Sequence, residues 1–180
     1  ELRGKDVNLV QHAFGTNCIV TEVEMPLTAA SDWVEAVVVF EHYMDAVRFG
    51  VRFVEEDGLV KKLASVQEWP TPGLWIPMKG IVPNGHSTVC CLIAKPFLTA
   101  FEELTAEYGG TIASTADEGK GPYGVPLYEF AFGHVLQQMR RSEPNRAAVQ
   151  GTFGIGQDLV AQVERVHRRI AGACPLRMEL

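Results

Sequence analysis

The chain has 180 residues, 47% hydrophobic and 21% charged, with a formal net charge of −6. That is the composition of an ordinary globular protein with one domain, or one domain plus a remnant. An acidic chain lacks the basic face that a nucleic-acid backbone or an anionic membrane requires, so neither is expected as a partner.

Glu1 begins the sequence and no charged-then-apolar leader follows it, so no signal peptide is visible. No apolar run reaches the roughly eighteen residues that span a bilayer. The four cysteines are Cys18, Cys90, Cys91 and Cys174. Two are adjacent in a predicted strand, where neighbouring side chains point to opposite faces. This suits buried, reduced thiols better than a disulfide framework or a zinc site, and implies a cytoplasmic setting.

In chain order, Gly15-Thr16 reads as a turn and Asn17 to Leu27 as an apolar strand. Only about a dozen polar residues precede it, too few to supply strand partners. The expected organisation is therefore a remnant of one domain over 1–28 and a second domain over 29–180, truncated at its C-terminal end. Thr28 to Asp32 is a linker. Trp33 to Phe40, WVEAVVVF, is a dense apolar run and reads as a buried strand. From Tyr43 to Glu56, Met44, Val47, Val51 and Val54 form a helical stripe, stopped by Asp57-Gly58. Leu59 to Gln67 is a second strand and carries Lys61 and Lys62.

Trp69 to Gly85 holds four of the ten prolines and reads as a long irregular loop. His86 to Ala94 is a third strand. Pro96 opens a helix that runs to Tyr108 and ends at Gly109-Gly110. Thr111 to Thr115 is a fourth strand. The order β-α-β-β-α-β is that of a ferredoxin-like α+β fold, an antiparallel sheet with its helices on one face.

Ala116 to Gly124 is polar and glycine-rich. A helix is expected from Leu127 to Arg141, a strand from Arg146 to Phe153, a helix from Asp158 to Ala171 capped by Asp158, and a last strand from Pro175 to Leu180. These extend the fold by a further α-β-α-β segment. The run Arg165 to Arg169 reads as the wet face of its helix.

The stretch Gly15 to Pro26 resembles the closing strand of FAD-binding domains in the vanillyl-alcohol oxidase and p-cresol methylhydroxylase class, whose pattern is close to G-[TS]-x-G-[IV]-[IV]-T. Val34 to Gly50 and Val60 to Pro70 resemble cap segments of bacterial FAD-linked oxidases related to glycolate oxidase and D-lactate dehydrogenase. Pro126-Leu127-Tyr128-Glu129-Phe130 with His134 resembles a P-L-Y-E-[YF]-x-W-N-H segment there. The resemblance implies the cap, or substrate-binding, domain of an FAD-dependent oxidoreductase acting on a small 2-hydroxy acid or related alcohol. Gly15, Thr16, Ile19, Val20 and Thr21 would then contact FAD. Most FAD contacts would come from an upstream domain of the same chain, so the 180 residues alone would not retain the cofactor or be active. At Asn17-Cys18 the chain departs from the family pattern. At Phe132-Gly133 it replaces a Trp-Asn pair, making that region less polar.

Lys61 or Lys62, Trp69, Tyr128 and His134 are candidate substrate contacts. Each also has a plain structural reading: solvated lysines at a sheet margin, an aromatic cluster under a loop holding Trp69 and Trp75, and a histidine bonded on a helix face. No catalytic base is assigned. The histidines are too scattered to suggest a metal site. The glycines of Gly151 to Gly156 lack the spacing of a phosphate loop. Two other classes stay open: a ferredoxin-like small-molecule-binding or regulatory module without redox chemistry, and a homodimer built on an exposed sheet edge.

Overall fold

The computed structural model describes residues 1–11, 13, 15–121, 124, 126–131, 140–145, 149–152, 158–170 and 176–179, the backbone alone for 149–152 and 176–179. The chain divides into two compact units, Glu1–Ala30 and Ser31–Leu180.

In the first unit a short 3-10 turn spans Gly4–Leu9. Asn17 Nδ2 donates to the Leu9 carbonyl at 2.5 Å and the Thr16 hydroxyl to the Ala13 carbonyl at 2.6 Å, closing the turn at Gly15. The strand expected over Asn17 to Leu27 is not formed: the backbone there has no regular structure, and Ile19 and Leu27 are 90% and 92% exposed. A strand exists only when a neighbour satisfies its backbone groups. Among the described residues no neighbour pairs with this segment.

The second unit is an α+β fold of ferredoxin-like type. β1 (Trp33–Phe40), α1 (Tyr43–Glu55), β2 (Lys61–Gln67), β3 (Ser87–Ala94), α2 (Leu98–Glu107) and β4 (Thr111–Asp117) are followed by β5 (Val149–Thr152), α3 (Leu159–Ile170) and β6 (Leu176–Glu179). The strand order is β4-β1-β3-β2-β6-β5. β1 pairs with β3 and β4, and β2 with β3 and β6, all antiparallel; β5 and β6 are parallel across α3, as a crossover of that length permits. The expected α-β-α-β extension thus lies along the β2 edge of the four-stranded core. Asp158 caps α3, accepting from the Ala161 N–H at 3.5 Å.

β1 is buried on both faces, which is why its sequence is a continuous apolar run and not an alternating one. On one face Ala36, Val38, Phe40, Ala64, Val66, Val89, Cys91 and Ile93 meet α1, α2 and α3. Phe49 of α1 lies 5.3 Å from Phe40 and 6.0 Å from Phe101, and Phe53 lies 5.5 Å from Phe101, ring centre to ring centre. Gly110 passes so close beneath Phe40 that a Cβ there would sit 2.6 Å from its ring. Cys90 and Cys91 do occupy opposite faces, both as free thiols, and burial pushes the Cys91 thiol up. Cys174 lies outside the described residues.

The helix expected from Leu127 does not start there. Leu127–Phe130 is a single 3-10 turn, and Ala131 is extended. The reason is local competition for backbone groups: the Leu127 N–H goes to the Glu35 carboxylate, and the Phe130 carbonyl accepts from Gln67 Nε2.

Candidate binding face of the sheet

The face away from the helices has a different covering. The 68–86 connection forms a strap of two 3-10 turns, Thr71–Leu74 and Ile76–Met78. Its Trp75, Met78 and Val82 join Leu127 and Phe130 over Val37, Val39 and Cys90. Trp75 and Phe130 pack at a tilt, ring centres 5.2 Å apart. Gly73 lets the half-buried Trp69 fold onto the strap's backbone, since a Cβ there would fall 2.3 Å from the indole.

Beneath the strap the sheet is not uniformly apolar. Strand register places Val39, Thr88 and Gln67 on one rung, Val37, Cys90 and Ser65 on the next, and Glu35, Leu92 and Leu63 on the third. Glu35 is only 2% exposed. Its Oε1 accepts from the Gly119 N–H at 3.0 Å and the Leu127 N–H at 2.8 Å, tying both ends of the glycine-rich segment to β1. Gln67 Nε2 donates to the Phe130 carbonyl at 2.8 Å and to Ser65 Oγ at 3.3 Å.

Among the described residues, four buried polar atoms on this side of the sheet have no hydrogen-bond partner: Glu35 Oε2, Gln67 Oε1, Thr88 Oγ1 and Trp75 Nε1. Each buried group left so costs about 1–3 kcal/mol. On the helix-covered face the corresponding group is the Tyr43 hydroxyl.

The sequence-predicted candidates fall in several places. Gly15, Thr16, Ile19, Val20 and Thr21 lie exposed in the first unit, Gly15 with φ of 73°. Lys61 belongs to the helix side: its ammonium donates to the carbonyls of Glu56 and, at 3.3 Å, Leu59, and sits 5.9 Å from the centre of the Phe53 ring. Burial lowers its pKa, against the raising effect of Asp57 and Glu56. Lys62 takes the other side, paired to Glu118 at 2.5 Å and 4.8 Å from the centre of the Trp33 ring. Both lysines thus have structural partners. Trp69 belongs to the strap. Tyr128 is exposed, in the turn that carries Leu127 and Phe130 onto the covered face. His134 lies outside the described residues.

Two features escaped the sequence reading. Glu35 carried a signal, a lone charge inside an otherwise apolar strand. His167 was grouped with the wet face of its helix, yet it falls at i+4 and i+8 from the buried Val163 and Leu159. Its Nε2 lies 2.6 Å from Glu68 Oε1, and its ring centre is 4.9 Å from that of Tyr43. Burial, then the Glu68 charge, pushes the Tyr43 phenol well up. This cluster ties α3 to the end of β2 and the start of α1.

Among the described residues no group of three histidine, cysteine or carboxylate side chains is placed to hold a metal ion. No described helix is long and apolar enough to cross a membrane. Compared with known proteins, the chain matches no family model and no curated protein.

Proposed function

We propose that this chain forms the cap, or substrate-binding part, of an FAD-dependent oxidoreductase acting on a small 2-hydroxy acid or related alcohol. The observation that carries the reading is the join between two dissimilar parts: the Gly15-to-Thr21 segment, with its resemblance to an FAD-binding strand, leads directly into a ferredoxin-like sheet. The exposed residues fit that cofactor role. Gly15 adopts a left-handed turn with open space where a Cβ would stand, so backbone can approach a dinucleotide there. Ile19, Val20 and Thr21 are exposed in a segment without regular structure, as such a contact requires, while the Thr16 N–H and hydroxyl both bond the Ala13 carbonyl.

When bound, the flavin would supply the redox chemistry by accepting a hydride equivalent. The chain's own contribution would be to bind and orient the substrate and to exclude water. An upstream domain of the same chain would provide the remaining cofactor contacts.

The test is visible absorbance. The protein purified with its native upstream sequence is expected to carry about one flavin per chain, and the 180 residues alone to be colourless. A colourless longer protein that cannot be reconstituted with FAD would sink the proposal. The second reading, a ligand-binding module without redox chemistry, is favoured by the unmet polar atoms under the strap, which need no flavin to explain them.

A further inference from the structure

We propose that the strap over residues 70–85 is an openable lid, and that the polar rungs beneath it bind a small uncharged molecule bearing hydroxyl or amide groups. The inference goes beyond the flavoenzyme reading and holds with or without it.

Three observations carry it. First, among the described residues no hydrogen bond joins the middle of the strap to the strands. Its backbone bonds close on itself, as Gly73 N to Pro70 O, Met78 N to Trp75 O and Val82 N to Met78 O. Bonds to the rest of the chain lie at its two ends, Thr71 N to Glu68 O, Trp69 N to Ser87 Oγ and His86 to the carbonyls of Pro83 and Asn84, with one more from the Ser142 hydroxyl to the Leu74 carbonyl. Among the described residues, the middle of the strap meets the strands through apolar contact alone. Second, among the described residues the closed state leaves four buried polar atoms unmet on this side of the sheet: Trp75 Nε1 in the strap, Gln67 Oε1 and Thr88 Oγ1 on the rung of Val39 that it covers, and Glu35 Oε2 on the rung that packs against Ala131. In an open state each gains a partner, from water or from a ligand, so closing over bare polar groups is opposed and closing over a ligand is not. Third, the unmet atoms define the ligand. Glu35 Oε2 and Gln67 Oε1 accept, Trp75 Nε1 donates and Thr88 Oγ1 does both. No described Lys or Arg belongs to this buried set, and Lys62, on β2, is committed to Glu118. An anion would meet the Glu35 carboxylate with no cation to offset it. A neutral ligand with donors and an acceptor meets every group.

Lactamide and lactate, near-identical in shape but neutral and anionic, separate these possibilities. In the 180-residue chain the three tryptophan indole N–H groups give separate signals by NMR, and Trp75→Phe identifies the one under the strap. Millimolar to half-molar lactamide is expected to shift the Trp75 signal saturably and slow its exchange with water, with lactate at least tenfold weaker. Equal or tighter lactate binding overturns the ligand class. No saturable response to lactamide, or to glycerol as a second neutral probe, overturns the site. Thr88→Val tests the lid independently of any ligand. Replacing an unmet hydroxyl by a methyl of the same shape should raise Tm by about 3 °C. A fall in Tm means the hydroxyl is satisfied when the strap is closed, and the lid argument fails.

Discussion

Ala36, Val38 and Phe40 look onto three helices; Glu35, Val37 and Val39, one residue over on the same strand, look onto a strap of turns. The first face is filled by interlocking aromatic rings on hydrogen-bonded helices. The second is covered by a segment whose bonds close on itself, over a sheet surface with polar groups in every rung. One side of β1 is thus built for stability and the other has the materials of a binding surface. The difference teaches that burial alone does not mark a core; the satisfaction of buried polar groups separates the two faces.

The comparison can be broken by matched substitutions. Phe101→Ala, on the helix side, should cost about 3–5 kcal/mol, because neighbouring helices cannot collapse into the gap. Phe130→Ala, on the strap side, should cost roughly half as much, since the covering segment can settle. Equal losses in chemical denaturation would erase the distinction between the faces. Gly110→Ala forces a methyl into Phe40 and should cost about 1–3 kcal/mol by overpacking. Glu35→Ala strands the buried N–H of Leu127 and frees that of the exposed Gly119, and should cost about 2 kcal/mol, with Glu35→Gln recovering most of it because one oxygen still accepts. A neutral Glu35→Ala would mean those loop ends are not held by the carboxylate.

The smallest effect at neutral pH is expected from Tyr43→Phe, which removes an unmet hydroxyl. Its signature is in alkali. Burial raises the phenol of Tyr43 and the thiol of Cys91, so the folded state keeps protons that the unfolded state gives up. Stability should therefore fall as pH climbs past the ordinary thiol and phenol ranges. Tyr43→Phe should lessen that fall, and Tm measured against pH in both proteins checks it.

Much of the fold was legible because it rests on local pattern. The apolar run of β1, the stripe of α1 and the Asp158 cap announce themselves within a few residues. The turn that stands at Leu127–Phe130 in place of the expected helix start was not legible, because distant residues, Glu35 and Gln67, take the backbone groups that a helix would have used. The strand over Asn17 to Leu27 failed for the complementary reason: its pattern was right for a strand, but pairing is a property of neighbours. At the candidate site the sequence marked Trp69 and Trp75 as possible covers and Tyr128 as a contact. It missed Glu35, Gln67 and Thr88, which become a set only through strand register. Lys61 and Lys62 looked available because their partners, Glu56 and Glu118, are identified by folding.

Native-state hydrogen exchange tests the contrast between the two faces most directly, reading α1, α2 and the strap in one experiment on the unliganded chain. Amides of α1 and α2 facing Phe49 and Phe101 should exchange only through global unfolding. Bonded amides of the strap, Gly73, Met78 and Val82 among them, should exchange at least tenfold faster through a smaller opening with weak denaturant dependence. Strap amides protected to the same level as the helices, and with the same denaturant dependence, would show a single cooperative core and contradict the account.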